Sequence, residues 1–133
     1  MKIIDAEQGS DAWRAARLGK VTASKVADML AKTKTGWGAS RANYRAQLVA
    51  ERLTGIPGDS YTNAAMEWGV EHEPEARAVY EMLTGATVTQ VGAVLHPAIE
   101  MALASPDGLV GDDGLVEIKC PNTATHIDTL LEG

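Results

Sequence analysis

Ser105-Pro106-Asp107-Gly108-Leu109-Val110-Gly111-Asp112-Asp113-Gly114-Leu115-Val116-Glu117-Ile118-Lys119 is the stretch on which the fold turns. Two short strand-like runs, Gly108 to Gly111 and Leu115 to Lys119, flank Asp112-Asp113-Gly114, an acidic turn ended by glycine. That is the pattern of a β-hairpin. Asp107 stands at the start of its first strand. Glu117 and Lys119 are two residues apart on the second, so both point to one face while Ile118 points the other way, into a core. The face shared by Glu117 and Lys119 carries a carboxylate and an amine where a buried strand would be apolar. Such charges on rigid strands are costly unless a metal or a substrate uses them.

Working outward, the residues just before the hairpin have the same period of two. Val88, Gln90, Gly92 and Val94 alternate with Thr89, Val91, Ala93 and Leu95, which predicts one strand over 88–95. Met101 to Ala104 predicts another. Upstream the period is helical. Ser10 caps a first helix, with Trp13, Ala16 and Arg17, that stops at Gly19. A second helix starts at Thr22-Ala23-Ser24 and buries Val26, Ala27, Met29 and Leu30. Residues 32–39 hold two glycines and read as a loop. Ser40 to Thr54 is a helix with Tyr44, Leu48, Val49 and Leu53 as core and Gly55 as its stop. Ile56 to Asp59 is a loop. Asn63 to Leu83 is the longest helical stretch, ending at Gly85; Pro74 either kinks it or opens a second helix. Thr123 to Leu131 begins a last helix. Trp13 and Trp68 read as core residues. Helices first, then a small, mainly antiparallel sheet, define an α+β or mixed α/β fold, as one domain over 1–133.

Composition narrows the setting. An apolar fraction of 45% and a charged fraction of 23% fit a soluble globular protein. Cys120 is the sole cysteine, which excludes an intrachain disulfide and fits a reducing cytosol. Met1 to Glu7 reaches an acid too soon for a signal peptide, and no apolar run approaches the roughly 20 residues of a membrane span. The net charge of −6 counts against nucleic-acid binding. The charge is uneven, however: Arg14, Arg17, Lys20, Lys25, Lys32, Lys34, Arg41, Arg45 and Arg52 lie in the first half, and the acids gather from Glu67 onward. The first part can face phosphates while the later part holds cations. His72, His96 and His126 lack zinc-site spacing. Cys120 reads as a small buried hydrophobe.

Paired carboxylates with a lysine suit phosphodiester hydrolysis. Carboxylates bind Mg²⁺ through oxygen, the ion activates water, and a lysine orients that water and offsets developing charge. Taken alone, Pro-Asp-Gly is equally a common turn, and Glu-x-Lys a solvated strand face.

Further motifs follow one order: Gln8-Gly9-Ser10-Asp11-Ala12-Trp13, Arg17-Leu18-Gly19, Thr22-Ala23-Ser24, Trp68-Gly69 with Glu73, Ser105 to Leu109, and Glu117-Ile118-Lys119-Cys120-Pro121. This ordered set closely resembles the phage lambda exonuclease and YqaJ-type viral recombinase family, from about Gln8 to Pro121. The resemblance implies a restriction-endonuclease-like PD-(D/E)XK nuclease core, with N-terminal helices followed by a small mixed sheet that carries a catalytic hairpin. It implies Asp107 and Glu117 as metal ligands with the backbone carbonyl of Ile118, Lys119 as the residue that positions the water, and Glu73 as the helical acid supporting a second metal. The alternative for Glu73 is a solvated helix residue like Glu67, Glu71, Glu75 and Glu81. Arg17, Thr22, Ser24 and Ser105 match the family's pocket for a 5′-terminal phosphate. A helix N-terminus at Thr22–Ser24 attracts anions, and Arg17 suits a bidentate clamp; simple capping with a surface arginine is the alternative. Met66 matches an apolar wedge between terminal base pairs, and Lys34 a basic residue that tracks the duplex.

The implied activity is Mg²⁺-dependent (Mn²⁺ substituting) 5′-to-3′ exonuclease digestion of linear double-stranded DNA in phage-type recombination. The implied setting is the cytoplasm of a bacterial host, from a phage or prophage gene, with a homotrimeric ring and a single-strand annealing protein as partner. Family members continue well beyond Gly133, so the chain is expected to lack the family's C-terminal portion. A truncated, catalytically inactive module that binds DNA ends or a partner is the second reading, and a structure-specific endonuclease on the same fold the third.

Overall fold

The computed structural model describes residues 2–58 and 62–132. Along the chain run β1 (Lys2–Ile4), α1 (Asp11–Arg17), β2 (Val21–Thr22), a 3₁₀ turn (Ala23–Lys25), α2 (Val26–Leu30), β3 (Lys32–Thr33), β4 (Gly36–Trp37) and α3 (Ala39–Thr54). Then come α4 (Ala64–Thr84), β5 (Val88–Thr89), β6 (Ala93–Leu95), β7 (Ala102–Ala104), β8 (Gly108–Val110), β9 (Gly114–Val116) and α5 (Thr123–Glu132). These elements gather into two units, Met1–Asp59 with Val91–Pro106, and Ser60–Gln90 with Asp107–Gly133. The mixed helix-and-sheet class expected from the sequence is what forms.

The first unit is built on a four-stranded sheet in the order β1-β6-β7-β2. Three of its pairings join antiparallel or parallel neighbours in a fixed register: Ile3 faces Val94, Leu95 faces Leu103, and Thr22 runs parallel beside Leu103. Ala93 and Leu103 are buried in it. The helix α3 contributes Tyr44, Leu48 and Glu51, a stripe at helical spacing that is buried throughout. A glutamate on such a stripe needs partners, and Glu51 has them. Its Oε2 accepts from the Gly19 N–H (2.8 Å), and its Oε1 accepts from the Gln47 amide (2.9 Å) and the Gly58 N–H (3.0 Å). Burial alone would raise the Glu51 pKa; the hydrogen bonds from Gln47, Gly19 and Gly58 outweigh it and hold the carboxyl below its ordinary value.

The second unit carries the sheet β5-β8-β9, antiparallel throughout. Val88 is buried against Gly108, where an added Cβ would collide with the Val88 Cγ1 atom. Asn63 caps α4 by accepting from the Met66 N–H (2.9 Å), and Glu81 ties the helix to β5 by accepting from the Val88 N–H (2.7 Å). Helix α5 buries none of its residues: Ile127, Leu130 and Leu131 are all exposed.

Several sequence expectations change. The strand predicted over 88–95 is two strands in different sheets, since a period of two cannot tell one strand from two short ones in sequence. The break falls at Gly92, whose N–H reaches the Ile4 carbonyl (3.1 Å) so closely that a side chain would collide with the Ala6 carbonyl. The helix predicted from Thr22–Ser24 is a 3₁₀ turn followed by a five-residue helix. Residues 21–22 are claimed by pairing with β7, and the Ala31 carbonyl is claimed by the Gly38 N–H (2.8 Å). Val26 and Leu30 are exposed on it, not buried. The loop predicted at 32–39 contains the hairpin β3–β4. In α3, Val49 and Leu53 face outward, unlike Tyr44 and Leu48. Helix α4 runs unbroken through Pro74. Trp68 is 43% exposed and stacks on His72 at 3.6 Å, so it is a surface residue. Helices do not precede the sheet either, because β1 and β2 from the N-terminal region join β6 and β7. Of the loop expected at Ile56–Asp59, Asp59 lies outside the described residues.

Two outcomes are expected. Gly92→Ala forces a methyl against backbone oxygens that cannot yield, and should lower unfolding stability by about 1–3 kcal/mol in a denaturant titration. Because the folded-state pKa of Glu51 is depressed, its stabilisation is present above the ordinary carboxylate value and is lost as pH falls through the lowered one. Glu51→Gln should therefore flatten the acid limb of the stability–pH curve, measured by urea midpoints, while lowering stability near neutral pH.

Candidate active site

In the second unit, the β8–β9 register sets Gly108 opposite Val116, which carries Asp107 and Glu117 to the same end of the hairpin. There Asp107 Oδ2 accepts from the Ile118 N–H at 2.5 Å. Strand pairing stops at Val116, so Glu117 and Lys119 lie just past the strand and not on it. The alternation persists all the same: Glu117 and Lys119 are exposed, and Ile118 is half-buried. The Lys119 Nζ donates to Glu117 Oε1, an ion pair that places both on one face.

Lys119 feels more than its partner. The hydrogen bond to Glu117 raises its pKa foremost; burial opposes, and the charges of Glu117, Asp107 and Glu73 add to the rise. The three expected acids thus all act on this one ammonium. The shift favours the ammonium form, which donates hydrogen bonds and stabilises negative charge.

On α4, Glu67, Glu71 and Glu75 are exposed, whereas Glu73 and Glu81 are half-buried; Glu73 pairs with Arg77 one turn on. The Arg77 side chain is largely buried, and among the described residues its Nε has no partner. Arg77 was not singled out from the sequence; only its i+4 spacing from Glu73 marks it there. Among the described residues no three His, Cys, Asp or Glu side chains group closely enough to hold an ion by themselves. Two carboxylates with a backbone carbonyl and water are what this hairpin end can offer. Cys120 is half-buried. Met66, in the first turn of α4, is 50% exposed, which removes it from the core.

The first unit holds the other group. Arg17, the last residue of α1, donates from Nη1 to Ser105 Oγ (2.8 Å). Its guanidinium lies 4.0 Å above the Trp13 ring, and the Trp13 indole N–H donates to Ser105 Oγ (3.1 Å) and the Gly92 carbonyl (2.9 Å). Burial lowers the Arg17 pKa, with Tyr44 opposing, and a guanidinium stays charged regardless. Thr22 is buried and its hydroxyl meets that of Ser24 at 3.2 Å. Because β2 runs parallel to β7 with Thr22 beside Leu103, Ser24 and Ser105 each follow two residues after a paired position, at one end of the sheet. The helix N-terminus expected to attract anions here is a 3₁₀ turn, so any anion would be held by these side chains and not by a helix dipole. Trp13, read as core, is a half-buried scaffold for Arg17 and Ser105. Lys34 sits exposed in the β3–β4 turn; near it Trp37 is 56% exposed beneath Arg41, whose guanidinium is 3.6 Å from the ring.

Comparison with known proteins gives the class. The YqaJ-like viral recombinase domain matches residues 12–133, and the chain belongs to that family. Among solved structures, the crystal structure of an alkaline exonuclease, LHK-Exo from Laribacter hongkongensis, is 57% identical with a TM-score of 0.80. The match covers 93% of this chain and 60% of that one, so this chain spans about 60% of the relative's length. LHK-Exo in complex with dAMP matches with the same values. A comparison with curated proteins finds no match. Among the described residues no helix is long and apolar enough to cross a membrane.

Trp13→Phe keeps the ring beneath Arg17 but removes the only donor it offers to Ser105 and Gly92. Thermal and denaturant unfolding should register a loss of about 1–2 kcal/mol.

Proposed function

We propose that this chain carries the catalytic core of a divalent-metal-dependent exonuclease that degrades one strand of linear duplex DNA from a 5′-phosphorylated end. The observation that carries the proposal is the hairpin end where Asp107, fixed by the Ile118 N–H, and the Glu117–Lys119 ion pair come together. The 57% identity to an alkaline exonuclease, which also binds dAMP, supports it.

Asp107 and Glu117, with the Ile118 carbonyl, offer the hard oxygen donors that suit Mg²⁺ or Mn²⁺, and Glu73 would assist a second ion. Two carboxylates completed by water and substrate phosphate match the way Mg²⁺ is commonly held, so the residues fit the metal. When bound, the ion lowers the pKa of water and neutralises charge on the scissile phosphate. The chain's own residues do the rest. The Ile118 N–H fixes the Asp107 carboxylate, and Arg77 fixes Glu73. Lys119 would orient the attacking water and stabilise the charge that develops on the phosphate.

Arg17, Thr22, Ser24 and Ser105 would receive the terminal 5′-phosphate. Arg17 supplies a desolvated positive charge, and the hydroxyls supply further donors. Met66, exposed at the start of α4, would wedge the terminal base pairs, and Lys34 would follow the duplex. A role in recombination, a trimeric ring and a single-strand annealing partner belong to the same proposal and draw support from the viral recombinase family.

The assay is digestion of linear duplex DNA with either 5′-phosphoryl or 5′-hydroxyl ends. Mg²⁺ should be required, a chelator should stop digestion and Mn²⁺ should restore it. Lys119→Ala should lower the rate by about 10²–10⁴-fold with the fold intact. Equal rates on both ends would remove the phosphate pocket. End binding without turnover by a folded sample would favour an inactive binding module, and cutting of closed circular DNA an endonuclease.

A further inference from the structure

The turn Leu18-Gly19-Lys20 separates Arg17 from Thr22, and it is held from both sides by consecutive residues of α3. Glu51 Oε2 accepts from the Gly19 N–H (2.8 Å), and the Arg52 Nε–H donates to the Gly19 carbonyl (2.8 Å). Gly19 itself adopts φ +64°, and a Cβ there would stand 2.5 Å from the Arg52 Cγ. One helical face also reaches the next residues, since the Thr22 N–H donates to the Tyr44 hydroxyl (3.2 Å). The grip is rigid because Glu51 is buried and its other oxygen is occupied by Gln47 and Gly58. Arg52 and Glu51 commit two charged groups to the peptide of the buried Gly19, two residues from Arg17.

We infer that Glu51 and Arg52 are positioning residues for recognition of the 5′-phosphate: by clamping the Gly19 peptide they set the spacing between the Arg17 guanidinium and the Thr22 and Ser24 hydroxyls. The inference rests on the phosphate pocket proposed above. Anion recognition by several donors is sensitive to small displacements, so loosening this turn weakens discrimination between ends more than it weakens binding to DNA.

The test is equilibrium binding of fluorescent duplex DNA carrying 5′-phosphoryl or 5′-hydroxyl ends, without divalent metal so that no turnover intervenes. The wild-type chain should prefer the phosphorylated end, and Arg17→Ala should abolish the preference. In Glu51→Gln the amide group meets N–H donors where the carboxylate accepted them, and the preference should fall about tenfold while hydroxyl-end affinity changes less than about twofold. Arg52→Ala releases the same peptide from its other side and carries the same expectation should Glu51→Gln fail to fold by circular dichroism. Affinity lost equally for both ends, or a preference kept in full by the α3 variants while Arg17→Ala loses it, overturns the positioning role alone. A wild-type chain indifferent to the end, and unchanged in Arg17→Ala, overturns the pocket and the positioning role together.

Discussion

The hairpin end that brings Asp107 beside the Glu117–Lys119 ion pair sets the terms for the second unit. Like charges do not gather without compensation, and each acid has a distinct one: the Ile118 N–H for Asp107, Lys119 for Glu117, Arg77 for Glu73. The hairpin supplies the geometry. Its register sets Gly108 against Val116 and so brings the flanking residues Asp107 and Glu117 to one end. Glycine at 108 lets Val88 pack beneath and anchors β5 to the same sheet. Backbone pairing thereby fixes the end of the hairpin beside which Asp107 and Glu117 stand.

The first unit reaches a comparable result by different means. Its charge is one arginine held by stacking on Trp13 and by the Ser105 hydroxyl, and its hydroxyls come from a parallel strand pair. A buried carboxylate on α3 ties the intervening turn. Arg17, Trp13, Thr22 and Glu51 each have a named hydrogen-bond partner, which limits the cost of holding them out of water.

Much of this was legible in the sequence, and the failures share a cause. The hairpin at 108–116, the Ser10 cap, the glycine stops at Gly55 and Gly85 and the strand at 102–104 follow from local period and turn chemistry. The even alternation over 88–95 concealed a break, because it is tertiary pairing that sends β5 and β6 to different sheets. Thr22–Leu30 has helical spacing, yet β7 and Gly38 capture its ends and leave only a short helix. For the candidate site, the carboxylates and lysine stood out as charges in a strand pattern. Their supports did not: Arg77, Trp13 and Glu51 look in sequence like a solvated arginine, a core aromatic and one helical acid among many. Only the long-range partners, Glu51 to Gly19 and Trp13 to Ser105, distinguish them.

The most direct test of the catalytic hairpin is a crystal structure of the chain soaked with Mn²⁺, with the ion located by anomalous scattering. The account predicts an ion bound by Asp107, Glu117 and the Ile118 carbonyl, absent in Asp107→Asn. An ordered hairpin end with no ion, or an ion bound at residues other than these, would contradict it.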